Sequence, residues 1–329
     1  MKRARYFALS GPGNILQMSV ADLAASTGLR PTIIRPNFLL FSDQPATIFT
    51  WPSRAVVLLG WLYHRDGGNK SVDSFDPSDL EDIFTTDGAI LLEKYWGSYV
   101  AIFHNEERDQ TTVVRDPSGG MPCYHMKSLG ITTFGSDMAL FRHAGILGHV
   151  IDDEQLGHHL HFPNLRTSRT CLVELNEIPA GFQLAIQHGK SRLQQWWKPW
   201  IYACRQAYYS DPVEATSDLR ATIFSTIGAW ASRFQDLVVG LSGGLDSSIV
   251  AAAAVQAGAK VTGLTLVTDE SAGDERYYAR EIANFLDISL EEVFFNIDDT
   301  DLELSHAAHL PRPLARSFAQ SGDQAYCAV

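Results

Sequence analysis

The chain has 329 residues, more than one hydrophobic core usually serves, so two domains are expected. Its 45% apolar and 19% charged content is that of an ordinary globular protein, and a net charge of −12 argues against nucleic acid as a partner. No segment approaches the ~20 apolar residues of a membrane-spanning helix, and the longest apolar run, residues 55–63, already contains Gly60.

In chain order, the basic start (Lys2, Arg3, Arg5) carries too short an apolar patch for a signal peptide. Residues 1–200 read mostly as β. The Val/Leu-rich run 54–61 is a strand, and 98–104 and 111–115 flank the polar turn 105–110 as a hairpin. Residues 131–134 and 181–186 are further strands, with Gly and Pro between them. Helices are few, 77–84 being one, with Asp76 as its N-cap. An antiparallel β-sandwich is the expected outcome. Ser10, in Leu9-Ser10-Gly11-Pro12-Gly13, reads as part of a turn. The four cysteines (Cys123, Cys171, Cys204, Cys327) form no CxxC pair, which suits reduced thiols in a cytoplasm. His158, His159 and His161 lie among Leu156, Leu160 and Phe162 and read as a helical connection rather than a metal cluster.

A boundary follows the aromatic stretch 196–200, dividing 1–200 from 206–329. Asp211-Pro212-Val213-Glu214 provides an N-cap, a first-turn proline and a capping-box Glu for a helix with Leu219, Ile223, Ile227 and Trp230 on one face. Strand 237–241 then meets a glycine turn and a helix starting near Ser247, with Ile249, Ala252 and Ala253 facing inward. Strand 260–267, helix 275–286 (Tyr278, Ile282 and Phe285 on one side) and strand 291–295 complete a parallel α/β pattern, whose ligands bind beyond the strand carboxyl ends. The turn there is Ser242-Gly243-Gly244-Leu245-Asp246-Ser247. The free N–H groups at a helix start favour an anion, and the two glycines allow close phosphate approach. Ser242, Ser247 and Ser248 add hydroxyl donors, while Asp246 would repel phosphate unless it holds Mg²⁺ there.

No Lys follows the glycines, so this is not a P-loop. The six residues resemble SGGxDS, the pyrophosphate loop of ATP pyrophosphatases. With the β-rich front half, the chain resembles the asparagine synthetase superfamily. Tyr95-Trp96-Gly97-Ser98-Tyr99-Val100-Ala101 is similar to the family's glutaminase strand, and Arg115-Asp116-Pro117-Ser118-Gly119 with Pro122 and Tyr124 to its RDxxGxxPLYY segment. Phe134-Gly135-Ser136-Asp137 and Ile178-Pro179-Ala180-Gly181 resemble its FASE and IPPG turns, and Asp274-Glu275 with Tyr278-Ala279-Arg280 its DE…YAR helix.

The resemblance implies a degenerate Ntn glutaminase-like sandwich followed by an incomplete α/β domain of the adenine nucleotide alpha hydrolase type. It implies ATP and Mg²⁺ as cofactors, nucleotide contacts from Leu241, Ser242, Gly243, Gly244, Asp246, Ser247 and Thr268, and Asp246 as the magnesium ligand. Leu241 would pack on the nucleoside and Thr268 would lie near adenine. Asp274 and Glu275 either bind Mg²⁺ or cap their helix, and capping is the simpler reading. The family's glutaminase cysteine is missing, since position 2 is Lys2 and no cysteine precedes Cys123. Cys123 reads as a small buried residue.

Without that nucleophile, another amine must attack the activated carboxylate. The resemblance is nearest to lasso-peptide macrolactam cyclases and β-lactam synthetases, in which carboxylate and amine belong to one substrate. Expected partners are a precursor peptide or small carboxylate, with a leader-peptide-binding protein and a protease. The alternatives are an asparagine synthetase and, from another class, a nucleotide- or peptide-binding module without catalysis. The family's second phosphate loop, GxGGD, is absent from residues 211–329, so a truncated, inactive chain is expected.

Overall fold

A computed structural model describes residues 4–11, 19–43, 47–51, 53–65, 69, 71–148, 150–267, 273–294, 310–313 and 326. Lys2 and Thr268 lie outside these. The chain forms two compact units. The front unit comprises 1–65, 72–202 and 307–315; the back unit comprises 66–71, 203–306 and 316–329.

The front unit runs β1 (Tyr6–Ser10), α1 (Val20–Thr27), β2 (Arg30–Arg35), β3 (Phe38–Ser42), β4 (Thr47–Thr50), β5 (Arg54–His64), α2 (Pro77–Thr85) and α3 (Ala89–Lys94). It continues with β6 (Tyr95–Asn105), β7 (Gln110–Arg115), β8 (Tyr124–Ser128), β9 (Ile131–Gly135), α4 (Met138–His143), α5 (Asp153–His161), β10 (Asn176–Glu177), β11 (Phe182–Gln187) and β12 (Lys190–Gln195). Two six-stranded antiparallel sheets result, ordered β10-β8-β9-β1-β3-β2 and β12-β11-β7-β6-β5-β4. The expected hairpin is β6–β7, closing from Asn105 opposite Gln110.

Alternation along single strands shows how the sheets stack. In β1, Tyr6 and Ala8 enter the core shared with Val57, Val100, Ile102 and Val113 of the other sheet. Phe7 and Leu9 point the opposite way, toward Leu23 of α1 and Phe141 of α4. In β6, Val100 and Ile102 face inward, while Tyr99, Ala101 and Phe103 meet Leu80, Ile83 and Leu91 of α2 and α3. The layers are therefore helix, sheet, sheet, helix, and the expectation of a sandwich with few helices is corrected to that extent. A strand covered on both faces needs no polar residue at alternate positions, hence the continuous apolar run of β5.

Asp76 is the N-cap position of α2 but makes no side-chain cap bond. Ser10 ends a strand rather than sitting in a turn. Its hydroxyl lies 2.7 Å from Thr111 Oγ1, which pairs with His104 Nδ1 at 2.9 Å, while His104 Nε2 meets Asn37 Oδ1 at 2.9 Å. Burial first, with Arg35 second, lowers the His104 pKa to about 4. Cys123 is fully buried, and burial pushes its thiol up to about 11. The three histidines at 158, 159 and 161 lie on α5, and no group of metal-ligating side chains occurs among the described residues.

The back unit contains α6 (Pro212–Arg233), β13 (Asp236–Gly240), α7 (Leu245–Gln256), β14 (Lys260–Val267), α8 (Arg276–Leu286) and β15 (Ser289–Phe294). Its sheet is parallel, ordered β13-β14-β15. Asp211 caps α6 by accepting from Val213 N at 2.8 Å. The facing residues match expectation in part. On α6, Leu219 is exposed, Ile223, Ile227 and Trp230 are half-buried, and Gly228, Ala229 and Ala231 are buried. On α7, Ala253 is buried as expected, with Ala251 and Ala254, while Ile249 and Ala252 are half-buried. On α8, Ile282 packs on the sheet with Ala279 and Ala283, whereas Tyr278 and Phe285 are 62% and 84% exposed. The helices approach the sheet closely enough that alanine fills the gap and the large rings are left outside. No described helix is long and apolar enough to cross a membrane.

Candidate functional site: the loop between β13 and α7

Strand β13 runs parallel to β14, and the chain leaves its carboxyl end at Leu241, whose N–H still donates to Leu264 O at 2.8 Å. The Leu241 side chain turns inward and is 1% exposed, packed with Ala251, Ala279 and Ala283. The side chain thus anchors the loop, and the backbone of Leu241 borders the turn.

Gly243 takes a left-handed φ of +75°, and a Cβ there would fall 2.3 Å from Tyr278 Cβ and 2.8 Å from Ala279 N. Glycine is thus required twice, for its torsion and for the approach of the loop to α8. Gly244 is the N-cap of α7. Inside the turn, Ser242 Oγ accepts from Gly244 N at 3.2 Å, and the hydroxyls of Ser242 and Ser247 lie 3.1 Å apart. Ser248 Oγ donates to Gly244 O at 2.6 Å. Serine hydroxyls therefore tie the turn, while the N–H groups of Gly243, Leu245, Asp246 and Ser247 have no acceptor among the described residues. The first N–H groups of a helix point out along its axis, so the loop presents a set of donors beside a positive dipole end. Asp246 is exposed, with no described hydrogen bond or ion pair on its carboxylate. A hard oxygen donor free beside an anion cradle fits a magnesium–phosphate pair.

The neighbouring acid is occupied. Asp274 accepts from Arg276 N at 3.1 Å and binds the same guanidinium through two bonds of 2.8 and 2.6 Å. Hydrogen bonding by Arg276 lowers the Asp274 pKa to about 2. Asp274 therefore caps α8, and Glu275 takes the N-cap position without a side-chain cap bond. No local pattern in the sequence places Tyr278 against the loop, and the Gly-Gly pair is the signal of a close approach there.

The RDPSG segment of the front unit is a buried scaffold. Arg115 donates to Glu177 Oε1 (2.7 Å) and to the carbonyls of Met121 (2.7 Å), Ile178 (2.6 Å) and Gly119 (2.8 Å). Asp116 accepts from the N–H groups of Tyr99 (3.1 Å), Ser118 (2.7 Å) and Gly119 (3.0 Å), and from the Ser118 hydroxyl. Burial raises the Asp116 pKa, with these bonds opposing it. Neither side chain has a free face for substrate.

Residues 73–197 match the glutamine amidotransferase domain, and residues 231–317 match asparagine synthase. No curated protein sequence matches significantly. Among solved structures, NMN synthetase from Francisella tularensis is 26% identical, over 23% of this chain and 35% of that chain, with a TM-score of 0.22. The glutamine phosphoribosylpyrophosphate amidotransferase from B. subtilis complexed with ADP and GMP is 11% identical, over 96% of each chain, with a TM-score of 0.39. The allosteric regulatory enzyme of purine biosynthesis aligns over 96% of this chain and 95% of that chain, at 11% identity and a TM-score of 0.38. Similarity this low carries no argument about activity. The two family matches stand in this order along the chain, a glutamine amidotransferase domain before an asparagine synthase stretch, and each covers less than half of it.

Proposed function

We propose that the protein is an ATP-dependent ligase that activates a carboxylate as its acyl adenylate and closes an amide within one peptide, as a lasso-type macrolactam cyclase does. The carboxylate oxygen attacks the α-phosphorus of ATP, the bond to the bridging oxygen breaks, and pyrophosphate leaves. The neutral amine then attacks the acyl carbon, AMP departs, and the amine proton passes to solvent or a base. The loop contributes where charge grows. The N–H groups of Gly243, Leu245, Asp246 and Ser247 would hold the departing β and γ phosphates, and Asp246 would hold magnesium, which screens their charge. Fixed donors aimed at developing charge are usually the largest catalytic contribution.

The observation that carries this reading is the turn itself: donors at a helix start and a neighbouring carboxylate, neither with a partner among the described residues. The match to asparagine synthase over 231–317 favours a second reading, in which aspartate is the carboxylate and ammonia the amine. One assay separates the two. Pyrophosphate release is followed with ATP and Mg²⁺ plus either a precursor peptide or aspartate with ammonia. Release with the peptide and loss of one water from its mass support cyclisation. Release only with aspartate and ammonia replaces it by the second reading, and nucleotide binding without AMP in either case leaves a binding module.

A further inference from the structure

Residues 307–315 belong to the front unit, although the chain on either side of them belongs to the back unit and the whole lies inside the asparagine synthase match. The described part, 310–313, is held by its backbone and by one side chain. Cys171 N donates to Pro311 O at 3.0 Å, and His159 Nε2 lies 2.8 Å from Pro313 O. Between the prolines, the Arg312 guanidinium donates to Glu177 Oε2, to Thr167 O at 2.7 Å and to Arg169 O at 2.6 Å. Its side chain is only 11% exposed.

The receiving wall is rigid. Glu177 N donates to Ser168 O at 2.7 Å, Thr170 Oγ1 to Leu175 O at 2.6 Å, and Arg169 bridges Asn176. Glu177 divides its carboxylate, one oxygen going to Arg115 and the other to Arg312. A planar fork that meets a carboxylate and two carbonyls at once is an arginine-specific arrangement, which a lysine ammonium cannot reproduce.

We propose that Glu177 with the carbonyls of Thr167 and Arg169 is an arginine socket whose occupant is the chain's own Pro311-Arg312-Pro313, and that Arg312 is the residue that holds this segment in its place within the front unit. Arg115 keeps its carboxylate oxygen and three carbonyls when Arg312 is removed, so the socket can be emptied without stranding a buried charge.

The test is amide hydrogen exchange on the full chain without nucleotide. In Arg312→Ala, exchange at Cys171 accelerates about 10- to 100-fold, while Val113 and Val114 in β7 keep their protection. Arg312→Lys falls between the two. Unchanged protection at Cys171 in Arg312→Ala, or full protection in Arg312→Lys, overturns the socket. Exchange judges the socket even where neither substrate set gives turnover, so failure of the ligase reading remains distinct from failure of this one.

Discussion

In the front unit the interior is filled by whole aromatic and branched side chains, with Tyr6, Tyr99, Phe7, Phe38, Phe41, Phe134 and Phe141 all fully buried. In the back unit the cluster under the glycine loop is Leu241 closed by Ala251, Ala279 and Ala283, and its rings (Tyr277, Tyr278, Phe285, Phe294) face outward. Polar groups divide the same way. The front unit buries Arg115, Asp116 and Glu177 and satisfies them with ion pairs, backbone carbonyls and backbone N–H groups, whereas in the back unit Asp246 and the N–H groups at the start of α7 have no partner among the described residues. The contrast separates a scaffold, whose charges are spent on its own backbone, from a site, whose donors are unspent.

The largest expected effect tests the scaffold. Arg115→Ala removes one of the two guanidinium partners of the buried Glu177 carboxylate and leaves three carbonyls without their donor, at a cost of about 3–5 kcal/mol. Exchange protection should fall at Val113 and Val114 in β7 and stay unchanged at Leu264 in β14. Equal loss at both positions would show that the two regions do not differ in this way.

Next comes the loop. Gly243→Ala forces a side chain into a left-handed torsion and against the main chain of α8, for about 2–4 kcal/mol. Protection should fall in α8 and β14, with β7 untouched, and pyrophosphate release should fall about 100-fold. An alanine variant that keeps both would mean the loop and α8 are not in the contact described.

Acid gives a graded version of the same contrast. The His104 imidazole titrates near 4 when folded, against 6.5 for an unfolded chain. As pH falls, the unfolded chain takes up the proton first. The stability is therefore complete above pH 6.5 and is lost between pH 6.5 and 4, to about 3 kcal/mol. His125, also lowered to about 4 by burial, acts in the same direction. Glu177 is held below its usual range because Arg115 and Arg312 outweigh the penalty of burial, so it extends the loss to lower pH. Asp116, raised by burial, opposes it. No histidine lies among the described residues of the back unit, so denaturant midpoints between pH 7 and 5 should drop for β7 and hold for β14. A parallel drop in both would remove the assignment to His104 and His125.

How much of this was legible in sequence follows from the kind of force involved. Hairpin β6–β7 and strand β14 were readable because a polar turn and an apolar run are local signals. Of the outer helices α2 was readable and α1 was not, although Ser19 before α1 and Gly28 after it form a cap pair: Ser19 accepts from Asp22 N, and Gly28 takes the left-handed C-cap. Side-chain facing in α8 failed for a different reason. The apolar spacing of Tyr278, Ile282 and Phe285 fits a helical face, but of the three only Ile282 packs on the sheet, beside Ala279 and Ala283, because how closely a helix approaches its sheet is a distance that no spacing encodes. In the loop, residue types pointed to phosphate, while the inward turn of Leu241 depends on Gly263 of β14, whose missing Cβ leaves room for Leu241 Cδ2. The partnership of Glu177 with Arg312, 135 residues apart, had no local signal at all.

The smallest expected effect on stability is the sharpest probe of the site. Asp246→Asn keeps size and shape at an exposed position whose carboxylate has no described partner. The variant loses only the attraction of a negative charge to the start of α7, which is less than about 1 kcal/mol. If the open groups exist for a nucleotide, pyrophosphate release falls at least about 100-fold while β14 exchange stays unchanged. A residue that merely capped its helix would give the reverse, a measurable loss of protection in α7 with turnover intact. An exposed carboxylate at a helix start contributes little to the fold, so this dissociation of stability from turnover is what a site predicts and a scaffold does not.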